Sequence, residues 1–229
     1  MDSGRTLAKY DGWDHAVLHI RPERKVKYFV KETNEWVVYP WEINEQHEDE
    51  GIQDNVTRLI EYAGEDITRE GLLETPRRFE KAWNFWTKGY KEDPKNVMKV
   101  FDNPGVDQLI VIPKIDFYSM CEHHLAPFYG QIHIGYIPDK KVLGLSKFAR
   151  LTEIFARRLQ IQERLTQQVA ENINQFLKPQ GVGVVVRGVH LCMRSRGIEK
   201  QNSEMVTSVM LGFFREKQSL RAEFLELIK

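Results

Sequence analysis

Two short stretches of the sequence contain the residue types that bind transition metals. Residues 121–124 (Cys-Glu-His-His) place a thiol, a carboxyl group and two imidazoles at consecutive positions, and residues 190–192 (His-Leu-Cys) contain the only other cysteine. Thiolate and imidazole are preferred zinc ligands, and Cys121 and His124 have a short spacing that suits such a site. Two ligands do not hold a metal, so the prediction requires Cys192 to lie close to the first stretch.

A zinc ion held by the two cysteines and His124 would keep its fourth tetrahedral position open. That is the arrangement of catalytic zinc, which activates a water molecule at neutral pH. The alternative is a closed structural site with His123, His133 or His190 as the fourth ligand. The spacing alone hardly distinguishes a catalytic from a structural zinc site. The number of other titratable groups nearby modestly favours the catalytic site. His123 and His190 are then candidates for proton transfer, because imidazole titrates near neutral pH.

A basic cluster at a predicted helix start is a possible phosphate site. Lys147 and Arg150 lie one turn apart just after Ser146, near the free N–H groups and positive dipole end of that helix. Arg196 could add a guanidinium fork. The alternative is a solvated basic surface, which is commoner for any single pair. Glu163 is either a charge favoured by the next helix dipole or a carboxylate that accepts hydrogen bonds from guanine.

The composition indicates a soluble intracellular protein. With 229 residues, 41% of them hydrophobic, the chain can form one large domain, with or without an appendage. The 33 basic residues balance the 33 acidic ones, so an anionic ligand needs a local basic cluster and a nucleic-acid partner is not expected. We find no apolar run long enough for a membrane span and no signal-peptide core, and we expect a cytoplasmic location. Reduced cysteines beside histidines then favour a metal over a disulfide.

Hydrophobic periodicity predicts the elements that position the first metal stretch. Apolar residues recur at helical spacing over 52–63, and the Thr-Pro pair at 75–76 is typical of the N-cap and first position of a second helix. Residues 109–118 are predicted to form one strand interrupted at Pro113, and residues 131–136 alternate with period two as its neighbour. The first metal stretch therefore lies in a connection between strands, where a rigid scaffold usually presents functional groups.

The second metal stretch follows two predicted helices. One is capped by Ser146 and reaches about residue 158, and the other begins near Gln162. A strand begins at Val182, and its continued alternation would place His190 and Cys192 on one face. The remaining elements are a strand over 206–214 and a closing helix over 220–228.

This order of elements indicates an α+β fold, in which a four-stranded antiparallel sheet has both central helices on one face. We divide the chain into an N-terminal extension over 1–50 with no assigned role, a helical region over 51–106 and a catalytic domain over 107–229. The extension has strand-like stretches at 25–30 and 35–39. Four open strands leave two edges with unpaired backbone groups, so we expect pairing with a second copy of the chain.

From about Ile52 to its end, the chain resembles the GTP cyclohydrolase I family. The matching segments are Ser-Met-Cys-Glu-His-His-Leu over 119–125, Leu-Gly-Leu-Ser-Lys over 143–147, Gln-Glu-Arg-Leu-Thr over 162–166, His-Leu-Cys-Met over 190–193, Arg-Gly at 196–197 and Thr-Ser at 207–208. Each motif is weak alone, but together, in unbroken order and at matching separations, they are highly specific. Residues 1–50 lie outside the resemblance.

The resemblance implies a role for each matching residue. Three residues would be the zinc ligands: Cys121, His124 and Cys192. Two would be the catalytic histidines: His123 and His190. Two would recognise the guanine: Gln162 and Glu163. Four would bind the triphosphate: Ser146, Lys147, Arg150 and Arg196.

The resemblance also implies a fold, an assembly and a reaction. The family has the tunnelling fold, whose sheets join between subunits into a barrel, usually in a toroidal homodecamer with active sites at subunit interfaces. The reaction would be zinc-dependent hydrolysis of GTP at carbon 8 of the purine with loss of formate. Rearrangement of the ribose and ring closure would then give 7,8-dihydroneopterin triphosphate, for folate, tetrahydrobiopterin or deazaguanine synthesis.

Two other functions compete with this one. A zinc-stabilised binding or regulatory protein would need the metal ligands but no guanine carboxylate and no triphosphate cluster. A related enzyme on the same fold could act on another pterin or a deazapurine. The combination of Cys121 and Cys192 with His124 favours the cyclohydrolase.

Overall fold

The computed structural model describes residues 51–229 together with the backbone of two earlier strands, β1 (Ala16–Ile20) and β2 (Tyr28–Glu32), which pair in parallel. The predicted strand over 35–39 lies outside the described residues, and that over 25–30 is described only from Tyr28, where β2 begins. The chain divides into two compact units, 1–65 and 66–229. The division into three parts at residues 50 and 106 stays a prediction.

Two predicted helices are present. In the first unit, α1 (Ile52–Tyr62) agrees with the apolar periodicity over 52–63. In the second unit, α2 (Thr75–Trp86) has Glu74 rather than Thr75 at its N-cap. The Thr75 hydroxyl instead donates backwards to the carbonyl of Gly71 at 3.4 Å, so it does not cap the following turn.

The second unit is built around one sheet, and the predicted four antiparallel strands are confirmed in it. Their spatial order is their chain order, and a short fifth strand pairs in parallel with the outer edge of the first. The antiparallel strands are β4 (Ile110–Cys121), β5 (Pro127–Ile137), β8 (Gly181–His190) and β9 (Met205–Gly212), and the fifth is β7 (Leu159–Gln160). A separate two-stranded sheet pairs β3 (Val100–Asp102) with β6 (Lys141–Leu143).

The interruption expected at Pro113 is a bulge within β4. The pairing with β5 shifts between Ile112 and Ile115, and Lys114 has a φ of 56°. Proline has no N–H to donate to the ladder, which explains why the irregularity occurs there.

Both central helices pack on one face of the sheet, as predicted. α3 (Leu145–Ala156) and α4 (Gln162–Leu177) bury their apolar sides against alternating residues of β5 and β8. The Ser146 cap was wrong. Gly144 is the N-cap, and its carbonyl accepts the Lys147 N–H at 2.8 Å, so Ser146 lies within the first helical turn.

The opposite face of the sheet is covered by α6 (Phe213–Glu216) and α7 (Gln218–Leu227), close to the predicted closing helix. Phe214 and Phe224 meet edge to face there, with ring centroids 5.4 Å apart. Beneath the two rings, Gly135 and Gly183 are register partners on β5 and β8. A Cβ on Gly183 would lie 2.5 Å from the Phe214 ring, so the glycine pair provides the space for the aromatic pair. In the described part of the chain, no helix has the length and apolar character needed to cross a membrane.

Candidate metal centre and active site

The turn between β4 and β5 brings two of the predicted metal ligands, Cys121 and His124, together. Cys121 is the last residue of β4, and its N–H donates to the carbonyl of Ala126 at 2.8 Å while its own carbonyl accepts the Leu125 N–H at 2.9 Å. Leu125 has a φ of 51°, which is uncommon for a residue with a side chain. Closed in this way, the turn places Nδ1 of His124 3.7 Å from Sγ of Cys121.

Glu122 attaches this turn to β7 and α4. Its N–H donates to the carbonyl of Gln160 at 3.1 Å, and its carboxylate forms an ion pair with Arg164. Arg164 Nε also donates to Oε1 of Gln160 at 2.9 Å. Sequence reasoning assigned Glu122 no role. The only available signal was its position between the two predicted metal-binding residues.

The third ligand comes from a short helix and not from a strand. The expectation that β8 continues through Cys192 was wrong, because β8 ends at His190 and α5 (Leu191–Arg194) follows. His190 pairs with Phe128, so Leu191 would lie opposite Pro127, which has no N–H for the next rung. On the other side of β8, β9 pairs only as far as Gly188.

The switch from β8 to α5 brings Cys192 close to Cys121 and His124. One ligand atom from each of Cys121, His124 and Cys192 lies within 4.8 Å of the other two. Cys121 is buried, Cys192 is half-buried and His124 is exposed, so the cluster opens toward solvent on the histidine side. The three ligands predicted from separate parts of the sequence are therefore brought together.

The chemistry of this donor set suits zinc. Burial raises the pKa of the Cys192 thiol, and the neighbouring Cys121 raises it further. Two adjacent thiols cannot both ionise cheaply in such a place unless a cation offsets their charges, which a divalent ion does. His133, one proposed fourth ligand, lies on the opposite sheet face from the buried β5 residues Ile132 and Ile134 and accepts the Lys114 N–H at 3.3 Å. It does not belong to the group.

The two predicted catalytic histidines have different surroundings. Nδ1 of His123 is 3.9 Å from Cys121 Sγ, and its side chain is 64% exposed. The ring of His190 stacks on Phe128, with centroids 4.6 Å apart and planes 6° apart. Burial lowers the pKa of His190, while the charge of Glu163 opposes that shift. His190 is thus held neutral and rigid, and the exposed carboxylate of Glu163 is near enough to act on it.

Gln162, which the resemblance assigns to guanine recognition, is buried against His190. It is only 1% exposed, and its Nε2 donates to the carbonyls of Val186 at 3.2 Å and Met205 at 3.0 Å. Its Oε1 lies 2.9 Å from Nε2 of His190. The amide is therefore fully engaged within the protein.

The predicted phosphate residues of α3 are not beside the metal ligands of the same chain. The end of α3 that lies near the metal turn is its C-terminal end, because the Arg158 carbonyl accepts the Ser119 hydroxyl at 3.4 Å and β7 pairs with Met120 and Cys121. Ser146 and Lys147 lie in the first turn, and a helix of this length places its ends about 16 Å apart. Arg150, one turn further on, lines a cleft with Lys88 and Lys91. Arg196 is exposed just after α5.

Comparison with known proteins agrees with these motifs. The GTP cyclohydrolase 1 of Coxiella burnetii (strain RSA 493 / Nine Mile phase I) is 50% identical over 179 residues, which are 78% of this chain and 97% of that one. That of Chlorobaculum tepidum is 52% identical over 77% of this chain and 80% of its own length. That of Rattus norvegicus is 53% identical over 75% and 71%.

One solved structure, an archaeosine synthase QueF-Like in the apo form, aligns with 45% of this chain and 93% of its own at 20% identity and a TM-score of 0.37, too low to support an argument about the fold. The family model for GTP cyclohydrolase I matches residues 52–229, the stretch that contains every element of the site. This family match, together with relatives that are 50% and 53% identical in sequence, shows that the chain belongs to the GTP cyclohydrolase I family.

Proposed function

We propose that this protein is a zinc-dependent GTP cyclohydrolase, which hydrolyses GTP at carbon 8 of the purine, releases formate and forms 7,8-dihydroneopterin triphosphate. Membership of the family supports GTP as the substrate. The observation that carries the chemistry is the convergence of Cys121, His124 and Cys192 within 4.8 Å, next to a neutral His190. Three protein ligands leave a tetrahedral ion one open position, which a purely structural site would not need.

Zinc is the ion that these residues would hold, and when bound it supplies the Lewis acidity that activates water. The histidines supply the proton transfers. Opening the imidazole ring of guanine requires a proton to be taken from water and protons to be given to ring nitrogens. His190, kept neutral by burial, can accept a proton, and the exposed His123 can exchange protons with solvent.

The substrate would be held at both of its ends. Glu163 is exposed at the start of α4, and its effect on His190 places its charge near the reacting groups. A carboxylate there accepts hydrogen bonds from the N1–H and amino group of guanine. The triphosphate would be bound by Arg196 and by residues at the start of α3, namely Ser146, Lys147 and Arg150, where free N–H groups add to the positive field.

The separation of these groups along α3 supports an active site shared between two chains. Within one chain, Ser146 and Lys147 lie at the end of α3 that is about a helix length from the metal turn, which supports a site completed by a second chain. A second copy that presents the start of its α3 to the metal turn would complete the site. Within the part of the chain that the structure describes, β9 is an edge strand and β7 covers β4 only at Met120 and Cys121, and such open edges favour association. We therefore propose the tunnelling-fold barrel and a homo-oligomer, with a decamer as the expected size.

The test is a direct assay for the products. Purified protein loaded with zinc is incubated with GTP, and formate and an oxidised, fluorescent pterin are measured. Both are expected in equal amounts. Consumption of GTP without formate, or binding of GTP without turnover, would favour the zinc-stabilised binding protein and overturn the proposal. We place the enzyme in the cytoplasm, where the free cysteines of the site stay reduced, and its product would serve pterin, folate or deazaguanine synthesis.

A further inference from the structure

The orientation of the Gln162 amide is determined by its surroundings. Its Nε2 lies 3.2 Å from the carbonyl oxygen of Val186 and 3.0 Å from that of Met205. Carbonyl oxygens only accept hydrogen bonds, so the atom that faces them must be the NH2 group. The reverse orientation would bring the amide oxygen against two other oxygens in a site with almost no solvent exposure.

Two threonines fix the direction of the remaining hydrogen bonds. The Thr166 hydroxyl donates to the carbonyl of Gln162 at 2.7 Å, which uses its single hydrogen. The Thr207 hydroxyl, 2.7 Å from it, must then be the donor to Thr166. Its lone pairs remain free to accept from Gln162 Nε2 at 3.1 Å. Every donor in this network therefore has an acceptor, and the amide has one consistent orientation.

With the amide oriented in this way, its oxygen faces His190. Oε1 lies 2.9 Å from Nε2 of the imidazole and can only accept, so Nε2 must carry a hydrogen. Stacking on Phe128 holds the ring in the plane that makes this bond. Gly188 leaves the necessary space, since a Cβ there would lie 2.1 Å from Oε1. In the neutral ring, Nδ1 is then the nitrogen with a free lone pair.

We propose that Gln162 is a positioning residue that acts through His190: its amide oxygen fixes the tautomer with hydrogen on Nε2 and leaves Nδ1 as the ring nitrogen with a free lone pair. Gln162 thus serves the reaction without contacting the guanine. The kinetic part of this inference rests on the proposed function, because it needs His190 to transfer protons. The tautomer itself follows from the hydrogen-bond network alone.

Neutron diffraction from crystals of the perdeuterated, zinc-bound protein at neutral pH tests the tautomer directly. We expect a deuteron on Nε2 of His190, none on Nδ1, and the deuterated nitrogen of Gln162 facing Val186 and Met205. A deuteron on Nδ1, on both nitrogens, or a reversed amide would overturn the proposal. An inactive protein with the expected deuteron would contradict the proposed function and leave the tautomer assignment standing.

Steady-state kinetics tests the positioning role. Gln162→Leu keeps the size of the side chain but cannot accept from His190, and we expect kcat to fall about 10- to 100-fold while KM for GTP changes little. A direct guanine contact would show the opposite pattern, with KM raised and kcat kept, and would overturn the proposal.

Thr166→Val is the matched control, because it removes one hydroxyl from the network while both backbone acceptors of the amide remain. It should keep kcat near that of the unmodified protein, and a fall as large as that of Gln162→Leu would count against a role specific to the amide.

Gln162→Leu could also lower stability, since two backbone carbonyls lose a donor. Gly188→Ala then provides a second variant. Residue 162 is still glutamine in this variant, but the added Cβ pushes its amide oxygen away from His190. The same fall in kcat at nearly constant KM is expected, and an unchanged kcat would contradict the positioning role.

Discussion

Cys121 ends β4 and Cys192 follows the end of β8, and these strand ends lie at the same end of the sheet, where the two cysteines and His124 form one cluster. His190, two residues before Cys192, is not one of the three predicted ligands. This gives two different predictions for substitution. Cys121→Ala should lose zinc and turnover together, because two remaining ligands do not hold the ion. His190→Ala should retain zinc close to one ion per chain and lose most turnover. Metal analysis of the purified proteins and the formate assay distinguish the two outcomes. A fully active Cys121→Ala protein would show that the ligand assignment is wrong.

His133 allows a prediction about pH and stability. Burial lowers its pKa, and the charges of Arg187 and Lys114 lower it further, below the ordinary value of 6.5. Protonation of Nδ1 would also break the bond that it accepts from the Lys114 N–H. The unfolded chain therefore binds more protons than the folded one below about pH 6.5, so this residue's contribution to stability is present above that pH and is lost as pH falls through the folded pKa.

The measurement is urea unfolding of the zinc-bound protein at a series of pH values. The free energy of unfolding should fall less from about pH 7.5 to about pH 5.5 in His133→Gln than in the unmodified protein. Glutamine is suitable because its amide oxygen can still accept the Lys114 N–H and does not titrate. Parallel curves for the two proteins would refute the assignment.

For individual residues, the sequence was enough to predict the cluster of metal-binding side chains but not the contacts that support it. The convergence of Cys121, His124 and Cys192 was predictable, because cysteine and histidine at short spacing have few other common uses. The buried position of Gln162 was not predictable, because it depends on Val186 and Met205, which are distant in sequence. Glu122 was missed for the same reason, since its partner Arg164 lies on another element.

Among the elements, period-two alternation correctly predicted the four strands, and apolar spacing predicted the two helices on one face. The end of β8 could not be predicted in this way. β8 ends where its next register partner would be Pro127, which has no N–H to donate, and that partner can be identified only once the register is known.

The glycine pair under α6 and α7 supports a prediction about packing between elements. Gly183→Ala would place a methyl group 2.5 Å from Cδ1 of Phe214, inside a closely packed cluster. Overpacking of this kind costs about 1–3 kcal/mol, so the variant should unfold at lower urea concentration while keeping its zinc. Gly71→Ala is the control, because its Cβ would meet only the Arg69 guanidinium at an ordinary 3.5 Å. Equal stability of the two variants would contradict this account of the sheet's second face.

For the whole molecule, the distance between the metal turn and the start of α3 predicts complementation between damaged chains. Cys121→Ala removes the metal half of a site, and Lys147→Ala weakens the phosphate half. If each site joins the metal turn of one chain to the α3 start of another, random mixing in a symmetric ring restores about a quarter of the sites. Co-expressed variants, purified by two different tags, should therefore show more activity than either variant alone.

The control for this experiment mixes Cys121→Ala with Cys192→Ala. Both changes damage the same half of the site, so no combination of chains restores three ligands and no activity should return. Absence of recovery in the first mixture, with mixed oligomers shown by both tags, would place the whole site within one chain.

Leu125, with its φ of 51°, has a further consequence for how the protein acquires its ion. A branched side chain in that conformation costs folding free energy that glycine would not, and the side chain is 51% exposed, so burial does not offset the cost. Glycine occupies that region without the steric cost, and where φ is positive this cost outweighs the entropy that glycine adds to the unfolded chain. Leu125→Gly should accordingly hold the turn in its ligand-presenting shape at lower cost, and it should bind zinc at least as tightly as the unmodified protein in a competition titration with a chelator. Weaker binding by the glycine variant would contradict this account of the turn.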